Sequence, residues 1–143
     1  MNLDEIDVEI LGLLRKNARI SNKVLAAKTG IAPSTCLARV RRLERSGIIA
    51  GYHAELNPAA VGVTIQAMIG VRMVRHVRKD VEAFQKHALG QKETVAMYHV
   101  AGADDFLVHV AARDTDHLRE LLLQAFTERP EVAHVETRLI FEQ

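Results

Sequence analysis

Four arginines crowd one short segment of this chain, at Arg39, Arg41, Arg42 and Arg45. A guanidinium group is always charged, and its planar fork of donors matches phosphate oxygens and the edge of guanine. Small residues precede the arginines, and small side chains at the start of a helix can approach base edges closely. The candidate nucleic-acid contacts are therefore Ser34, Thr35, Ala38, Arg39, Arg41, Arg42 and Arg45. The alternative is a solvated helix with a basic outer face, which is the usual meaning of a charge run.

A second cluster of polar residues lies around Gly102. Glycine there would let backbone N–H groups approach a carboxylate as a small anion nest. Asp104 or Asp105 could accept hydrogen bonds from an α-ammonium group, so the turn could recognise an amino acid. The candidate effector residues are Gly102, Ala103, Asp104 and Asp105, with Tyr98 and Thr137 as lesser candidates for the pocket wall. The alternative is an ordinary hairpin turn, in which Gly and Asp are favoured residues.

Catalytic and metal-binding patterns are not found in the sequence. Asp104 and Asp105 are adjacent, and adjacent strand residues point to opposite faces, so they do not form a carboxylate pair. No Ser–His–Asp set, phosphate-binding glycine loop or HExxH motif occurs. The seven histidines are scattered; His99 and His109 could meet across paired strands and bind a metal, but a buried or interface role is favoured. We therefore expect no enzymatic activity, no cofactor and no metal.

The arginine-rich segment is predicted to be the last of three helices. Ser21 suits an N-cap, with Ile20 and Leu25 placed as a hydrophobic staple. Gly30 can take the left-handed conformation that ends a helix, and Pro33 fits the first position of the next one. An apolar stripe from Leu3 to Leu14 predicts an earlier helix, with acids in its first turns where the helix dipole favours them.

The third helix should bury one side and expose the other. Its predicted core residues are Cys36, Leu37, Val40 and Leu43. Residues 48–56 read as a short hairpin with Gly51 near its tip. Residues 1–57 are therefore predicted to form a winged helix-turn-helix domain that binds double-stranded DNA.

Residues 58–62 break both periods and are predicted to be a linker. In residues 63–143, alternating apolar residues predict strands, and 3.6-residue periods predict helices between them. The predicted strands are 64–74, 94–101, 105–112 and 132–141, and the predicted helices are 79–88 and 116–127. This βαββαβ order gives a ferredoxin-like sheet with both helices on one face, so the chain is of the α+β class.

The sheet face away from the helices is predicted to be only weakly polar. The first strand offers Thr64, Gln66, Met68 and Gly70 to it. The second strand offers either Ala96, Tyr98 and Val100 or Val95, Met97 and His99. Because neither set is charged enough for a water-facing surface, we expect a homodimer closed face to face. Such a dimer would present two basic helices to a palindromic site.

Charge is divided unevenly along the 143 residues. Residues 1–57 hold nine Lys/Arg against six Asp/Glu, and residues 58–143 hold ten against twelve. The basic half is therefore the one expected to bind nucleic acid. The single cysteine excludes a disulfide framework. Neither a membrane-spanning apolar run nor a signal peptide is recognised, so a cytoplasmic protein is expected.

The chain resembles the leucine-responsive regulatory protein/AsnC (Lrp/AsnC) family over nearly its whole length. The matching motifs are Leu3-Asp4-Glu5-Ile6-Asp7, Asn17-Ala18-Arg19, Leu25-Ala26, Pro33-Ser34-Thr35-Cys36-Leu37, Arg39-Val40-Arg41-Arg42-Leu43-Glu44, Gly47-Ile48-Ile49, Gly51-Tyr52, Gly102 with Asp105-Phe106, and Val132 with Glu136-Thr137. The resemblance implies a regulator of amino-acid metabolism or transport, built from dimers that assemble to tetramers or octamers. It also implies an amino-acid effector. The alternative is an oligomeric small-molecule sensor that does not bind DNA.

Two positions depart from the family pattern. Ala32 stands where the family often has a serine cap, which would cost the helix roughly 1 kcal/mol. Ala103 and Asp104 replace the acidic and aromatic residues common in the family's turn.

Overall fold

The computed structural model describes residues 2–141. The chain divides into two compact units, Met1–Glu55 and Leu56–Gln143. No helix of the described residues is long and apolar enough to cross a membrane.

Three helices make the first unit: α1 (Glu5–Lys16), α2 (Asn22–Thr29) and α3 (Pro33–Arg45). Their ends follow from local chemistry. The Ser21 hydroxyl accepts a hydrogen bond from the Val24 N–H, and Gly30 ends α2 with φ 67°. Pro33 is the first residue of α3, where it needs no N–H partner. The three predicted helices and the residues predicted to end them are confirmed.

The core of this unit joins all three helices. Ile10, Leu25, Cys36 and Leu43 are at most 2% exposed. Burial also raises the pKa of the Cys36 thiol, which is consistent with a packing role. The prediction that Leu37 faces the core is wrong, because its side chain is 38% exposed.

The predicted hairpin at residues 48–56 is also wrong. Residues 46–64, all of which the structure describes, contain no strand. The Ile49 N–H instead donates to the Leu43 carbonyl, which continues the end of α3. The Tyr52 hydroxyl donates to Glu44 Oε1 at 2.9 Å. These contacts anchor the segment to α3, whereas an isolated two-stranded hairpin is only marginally stable in water.

The segment predicted as a linker contains a single 3₁₀ turn, Ala59–Val61. The Asn57 side-chain oxygen accepts hydrogen bonds from the N–H groups of Ala59 and Ala60. This turn precedes the first strand of the second unit.

The second unit is the predicted ferredoxin-like βαββαβ fold. Its elements are β1 (Ile65–Met73), α4 (Arg78–Leu89), β2 (Thr94–His99), β3 (Phe106–Ala112), α5 (Thr115–Leu121) and β4 (Val132–Ile140). A π-helical turn, Leu122–Thr127, continues α5. The strands form one antiparallel sheet in the order β2-β3-β1-β4.

Both helices cover the same face of this sheet. Alternate β1 residues from Ala67 to Met73 are buried against α4 and α5. Phe84 of α4 lies with its ring centroid 5.1 Å from that of Phe106 and 6.2 Å from that of Phe126. These three rings are entirely buried.

The strand register decides which residues form the open face, away from the helices. Ala96 lies opposite His109, and Tyr98 lies opposite Leu107. Since residues opposite each other share a face, β2 contributes Ala96 and Tyr98 to the open side. His99 instead faces the helix side, where it stacks on Phe106. His99 and His109 therefore lie on opposite faces and cannot share a metal ion.

His109 is the buried titratable group of the open face. Its Nε2 is 2.8 Å from Gln66 Oε1, and the residue is only 9% exposed. Burial lowers the pKa of His109 below its ordinary 6.5, because the charged imidazolium is poorly solvated there.

We predict that the sheet unit loses stability as pH falls below about 6.5. The unfolded chain then binds a proton that the folded His109 resists, so the free energy of unfolding decreases towards the lowered pKa of the native state. Urea unfolding between pH 7.5 and 5 measures this, with His109→Gln as the comparison. A pH slope that is equally steep in both proteins would contradict the assignment to His109.

Candidate nucleic-acid interface and effector turn

The outer side of α3 presents five of the seven predicted DNA contacts to solvent. Ser34, Thr35, Ala38, Arg41 and Arg45 are all exposed. The Arg45 Nε donates to the Arg41 carbonyl at 3.3 Å. Neither Arg41 nor Arg45 has a carboxylate partner within residues 2–141, so both guanidinium groups are available to phosphates.

The other two predicted contacts, Arg39 and Arg42, lie against α1. Arg39 Nη1 is 2.6 Å from Asp4 Oδ2 and 2.8 Å from Asp7 Oδ1. Arg42 Nη2 is 2.5 Å from Asp7 Oδ2. The prediction that Arg39 and Arg42 present free groups to a groove therefore needs correction: on α3 they flank the core side, where the first turn of α1 meets them.

Asp7 is the centre of this ion-pair cluster. Its side chain is 1% exposed. Burial alone would raise the pKa of Asp7, but hydrogen bonds from Arg39, the Asp4 N–H and Arg42 outweigh it, so this pKa is lowered. The hydrogen bond from Arg39 likewise lowers the pKa of Asp4. Both carboxylates thus remain charged, and their ion pairs with Arg39 and Arg42 fix α3 against α1.

The same carboxylates also begin α1. Asp4 Oδ1 accepts the Asp7 N–H at 2.8 Å, and Asp7 Oδ2 accepts the Asp4 N–H at 3.3 Å. This reciprocal pair is a capping box made from two aspartates. One pair of side chains therefore fixes the start of α1 and the position of α3.

Sequence reasoning found the acids of α1 but assigned them only to the helix dipole. A signal was present: Asp4 and Asp7 are three residues apart, as are Arg39 and Arg42, so each pair lies on one helix face. Two such pairs of opposite charge on neighbouring helices are able to meet. Periodicity alone does not show that they do.

The start of α3 has no side-chain cap, because Ala32 occupies that position. Asn22 of α2 supplies a different contact there, since its Nδ2 donates to the Pro33 carbonyl at 2.8 Å. This hydrogen bond ties the first turn of α3 to the first turn of α2, which fixes the helix-turn-helix angle near the small residues Ser34 and Thr35.

The second candidate site is the turn between β2 and β3. Gly102 has φ 142°, a conformation that suits glycine. Asp105 binds the last residue of β1, because its Oδ2 accepts a hydrogen bond from the Met73 N–H at 2.7 Å. Ala103 contributes its carbonyl oxygen, which accepts from Arg72 Nε at 2.9 Å.

Asp104 lies over the open face of the sheet. Its Oδ2 is 3.2 Å from Arg138 Nη1, and Arg138 Nη2 is 2.6 Å from Glu136 Oε2. A β-carbon added at Gly70 would lie 2.7 Å from the same Asp104 oxygen. The absence of a side chain at Gly70 therefore makes the room that Asp104 occupies.

The structure does not bring all the predicted effector residues together. Tyr98 lies on the open face, the same face as Asp104. Thr137 lies opposite Ile69, whose side chain is buried under the helices. Thr137 therefore shares the helix-covered face of the sheet with Ile69, not the open face with Tyr98. The prediction that Thr137 lines a pocket with Tyr98 is wrong, because the register of β4 on β1 assigns it to the opposite side.

The described residues hold no group of three His, Cys, Asp or Glu side chains able to bind a metal ion.

Residues 3–50 match a family model described as winged helix-turn-helix DNA-binding, and residues 66–143 match the Lrp/AsnC ligand binding domain. The protein is thus a transcriptional regulator that joins a DNA-binding domain to a ligand-binding domain, and its relatives are regulators rather than enzymes. The chain belongs to the Lrp/AsnC family.

Relatives span the whole chain. The HTH-type transcriptional regulator AldR of Mycolicibacterium smegmatis is 45% identical, over 99% of this chain and 82% of its own length. The leucine-responsive regulatory protein of Escherichia coli K12 is 34% identical, over 99% of this chain and 87% of its own length.

Solved structures agree in fold. The crystal structure of AldR from M. tuberculosis is similar with a TM-score of 0.80 and 39% identity, over 99% of this chain and 95% of that one. A Neisseria meningitidis transcriptional regulator solved with L-Met is similar with a TM-score of 0.93 and 27% identity, over 99% and 92%.

We predict that Asp7→Asn weakens specific operator binding by roughly tenfold, the equivalent of one lost charged hydrogen bond. Without the carboxylate, α3 loses its fixed position, while Arg39 and Arg42 become free cations. Non-specific DNA affinity should therefore stay equal or rise. Fluorescence anisotropy with operator and scrambled duplexes separates the two effects. Glu9→Gln is the matched control, since it removes one charge from an exposed position of the same helix.

The same variant should change acid stability. Because the pKa values of Asp4 and Asp7 are lowered from 3.8, their contribution is present above that pH and lost as pH falls through the native values. Asp7→Asn should flatten the loss of helical circular dichroism below about pH 4.

In the DNA-binding experiment, equal loss of specific and non-specific binding by Asp7→Asn would refute the positioning role of Asp7.

Proposed function

We propose that this protein is a sequence-specific regulator of genes for amino-acid metabolism or transport, and that it works in the cytoplasm under the control of a small effector such as an amino acid. The observation that carries the DNA-binding part is the outer face of α3. There Arg41 and Arg45 lack acidic partners, within residues 2–141, while small side chains occupy the start of the helix.

In this proposal α3 lies in the major groove. Ser34, Thr35 and Ala38 approach the base edges, because their short side chains let the helix sit deep. Arg41 and Arg45 bind phosphates beside the groove, where long cationic side chains fix the register. Arg39 and Arg42 hold α3 against α1 and contribute indirectly.

The open face of the sheet supports a homodimer. Tyr98 is 54% exposed there, and Ala96, Met68 and Leu107 share that face by register. A surface of this kind favours a second sheet over water. A two-fold dimer would present two copies of α3 to a palindromic operator, and further association to a tetramer or octamer would extend the contact along DNA.

The effector is proposed to bind at the turn formed by Gly102, Ala103, Asp104 and Asp105, with Tyr98 on the same face. Each carboxylate already has a protein partner, but it has acceptor sites left for an ammonium group. The match of residues 66–143 to a ligand-binding family model supports a small effector in this domain, as does a similar structure that was solved with L-Met. Binding would regulate DNA affinity only if it favours one assembly over another.

We predict that Arg41→Ala and Arg45→Ala each reduce the salt dependence of DNA binding. Each lost phosphate contact should lower the slope of log K against log salt by about 0.9. Specific and non-specific affinity should fall together. Arg78→Ala is the control, since that arginine is 90% exposed on α4 of the other unit.

Arg42→Ala should lower specific affinity with an unchanged slope, in contrast to both outer arginines. Unchanged binding in Arg41→Ala and Arg45→Ala would remove α3 from the interface. If no duplex bound even at low salt, the protein would instead be a small-molecule-sensing oligomer without DNA binding.

We predict that one or more free amino acids raise the melting temperature and change the assembly mass of the wild-type protein. A ligand that binds only the folded state stabilises it by about 2.7 kcal/mol at a hundredfold excess over Kd. Asp104→Asn should abolish the change in assembly mass and reduce the shift, whereas Asp116→Asn, an exposed acid on α5, should preserve both. An absence of any shift with constant mass, across all twenty amino acids, would remove the effector from the proposal.

A further inference from the structure

A cleft lies at the end of β2 and β3 that is farther from the Gly102 turn. It is lined by charged side chains to which no role has been given above. It has a volume of about 520 Å³ and lies between the α4–β2 turn and α5. Arg113, His117, Glu93 and Lys92 line it. The same four residues also line a neighbouring cleft of about 290 Å³, which Val61, Val63 and Ala111 make more apolar.

His117 connects the charged groups of the cleft. Its Nε2 is 3.0 Å from Glu93 Oε1. Its Nδ1 accepts from the Arg113 N–H at 3.2 Å and lies 3.4 Å from Arg113 Nε. Because Nδ1 accepts from the Arg113 N–H, Nε2 is the ring nitrogen that can donate to Glu93. The imidazole thus holds a guanidinium and a carboxylate on opposite sides of one ring.

Both charged groups keep unused hydrogen-bonding capacity. Glu93 is 9% exposed, and within residues 2–141 the hydrogen bond and ion pairs of its carboxylate all go to Oε1, which leaves Oε2 without one. Arg113 uses its Nε, which leaves its two terminal nitrogens without a protein partner in the described part of the chain. Among the described residues, Glu93 Oε2 is not one of the fully buried atoms that lack a partner, so this oxygen is accessible and can accept a hydrogen bond from a bound cation. The paired terminal nitrogens of Arg113 match a carboxylate.

The lining favours a zwitterion over an anion. Lys92 and Arg113 contribute two positive charges, and Glu93 and Glu120 contribute two negative charges. A simple anion would meet Glu93 and Glu120 as well as the cations. A molecule with both a carboxylate and an ammonium group could pair with Arg113 and Glu93 at once. The apolar neighbouring cleft could then take a short hydrocarbon side chain.

We propose that this cleft is a second small-molecule site, which binds an apolar α-amino acid through its carboxylate at Arg113 and its ammonium group at Glu93. This site is independent of the Gly102 turn. It shares none of the residues of that turn and does not require that the turn bind an effector.

The test is calorimetry on the full-length protein with L-alanine, L-valine, L-leucine and L-methionine. At least one should bind to Asp104→Asn, in which the turn site is disabled. For leucine, 4-methylpentanoate lacks the ammonium group, and 3-methylbutylamine lacks the carboxylate. Each analogue should bind at least tenfold more weakly than leucine, because each leaves one charged partner of the cleft unmatched.

Two cleft variants locate the site. Glu93→Gln keeps an acceptor for His117 but loses the charge that pairs with ammonium, and Arg113→Gln removes the charge of a solvent-exposed side chain. In the Asp104→Asn background, each should weaken binding at least tenfold. Glu82→Gln, an exposed acid on α4, should leave the affinity unchanged. Thermal melts on each variant check that the fold is retained.

The outcomes separate this site from the proposed regulatory turn. Binding that disappears in Asp104→Asn but survives Glu93→Gln and Arg113→Gln in the otherwise wild-type protein would overturn the cleft and support the turn alone. An absence of heat with all four amino acids in Asp104→Asn would also overturn it. Binding of 4-methylpentanoate as tight as that of leucine would refute the pairing of Glu93 with ammonium.

Discussion

The buried carboxylate of Asp7 is the contact on which the DNA-binding unit depends. A charge at 1% exposure is stable only if it is paired, and Asp7 meets this condition with two arginines from α3. The same carboxylate closes the capping box of α1. The position of α3, and therefore the identity of its outward-facing residues, follows from where α1 begins. Arg42 Nε remains buried without a partner in the described chain.

A similar division between structural and available charges runs through the second unit. Asp105 holds the end of β1, and Asp104 pairs with Arg138 above Gly70. Both acids of the turn thus have structural contacts with the sheet in the protein without ligand. In the cleft beside α5, by contrast, Glu93 and Arg113 are spaced by His117 and keep free atoms. The groups with unused capacity, rather than the groups of highest charge, mark where a small molecule could bind.

Much of the fold could be predicted from the sequence because its signals are local. Caps at Ser21, Gly30 and Pro33 fixed the helix ends, and alternation along β1 fixed its buried face. The predicted hairpin failed because strand formation requires a partner, and the residues after α3 hydrogen-bond to that helix instead. The face on which Thr137 lies could not be predicted, because it depends on the register of β4 against β1, which contains an irregularity between Arg72 and Met73.

By itself, the sequence determined that α3 is a helix with an apolar side and a cationic side, since both follow from a period of 3.6 residues. It also determined the βαββαβ order of the second unit. Only the tertiary structure decided which arginines are free. Arg39 and Arg42 are separated from Asp7 by 32 and 35 residues along the chain, and no local pattern reports an ion pair over that separation. Packing of α1 on α3 creates it, and leaves Arg41 and Arg45 facing solvent.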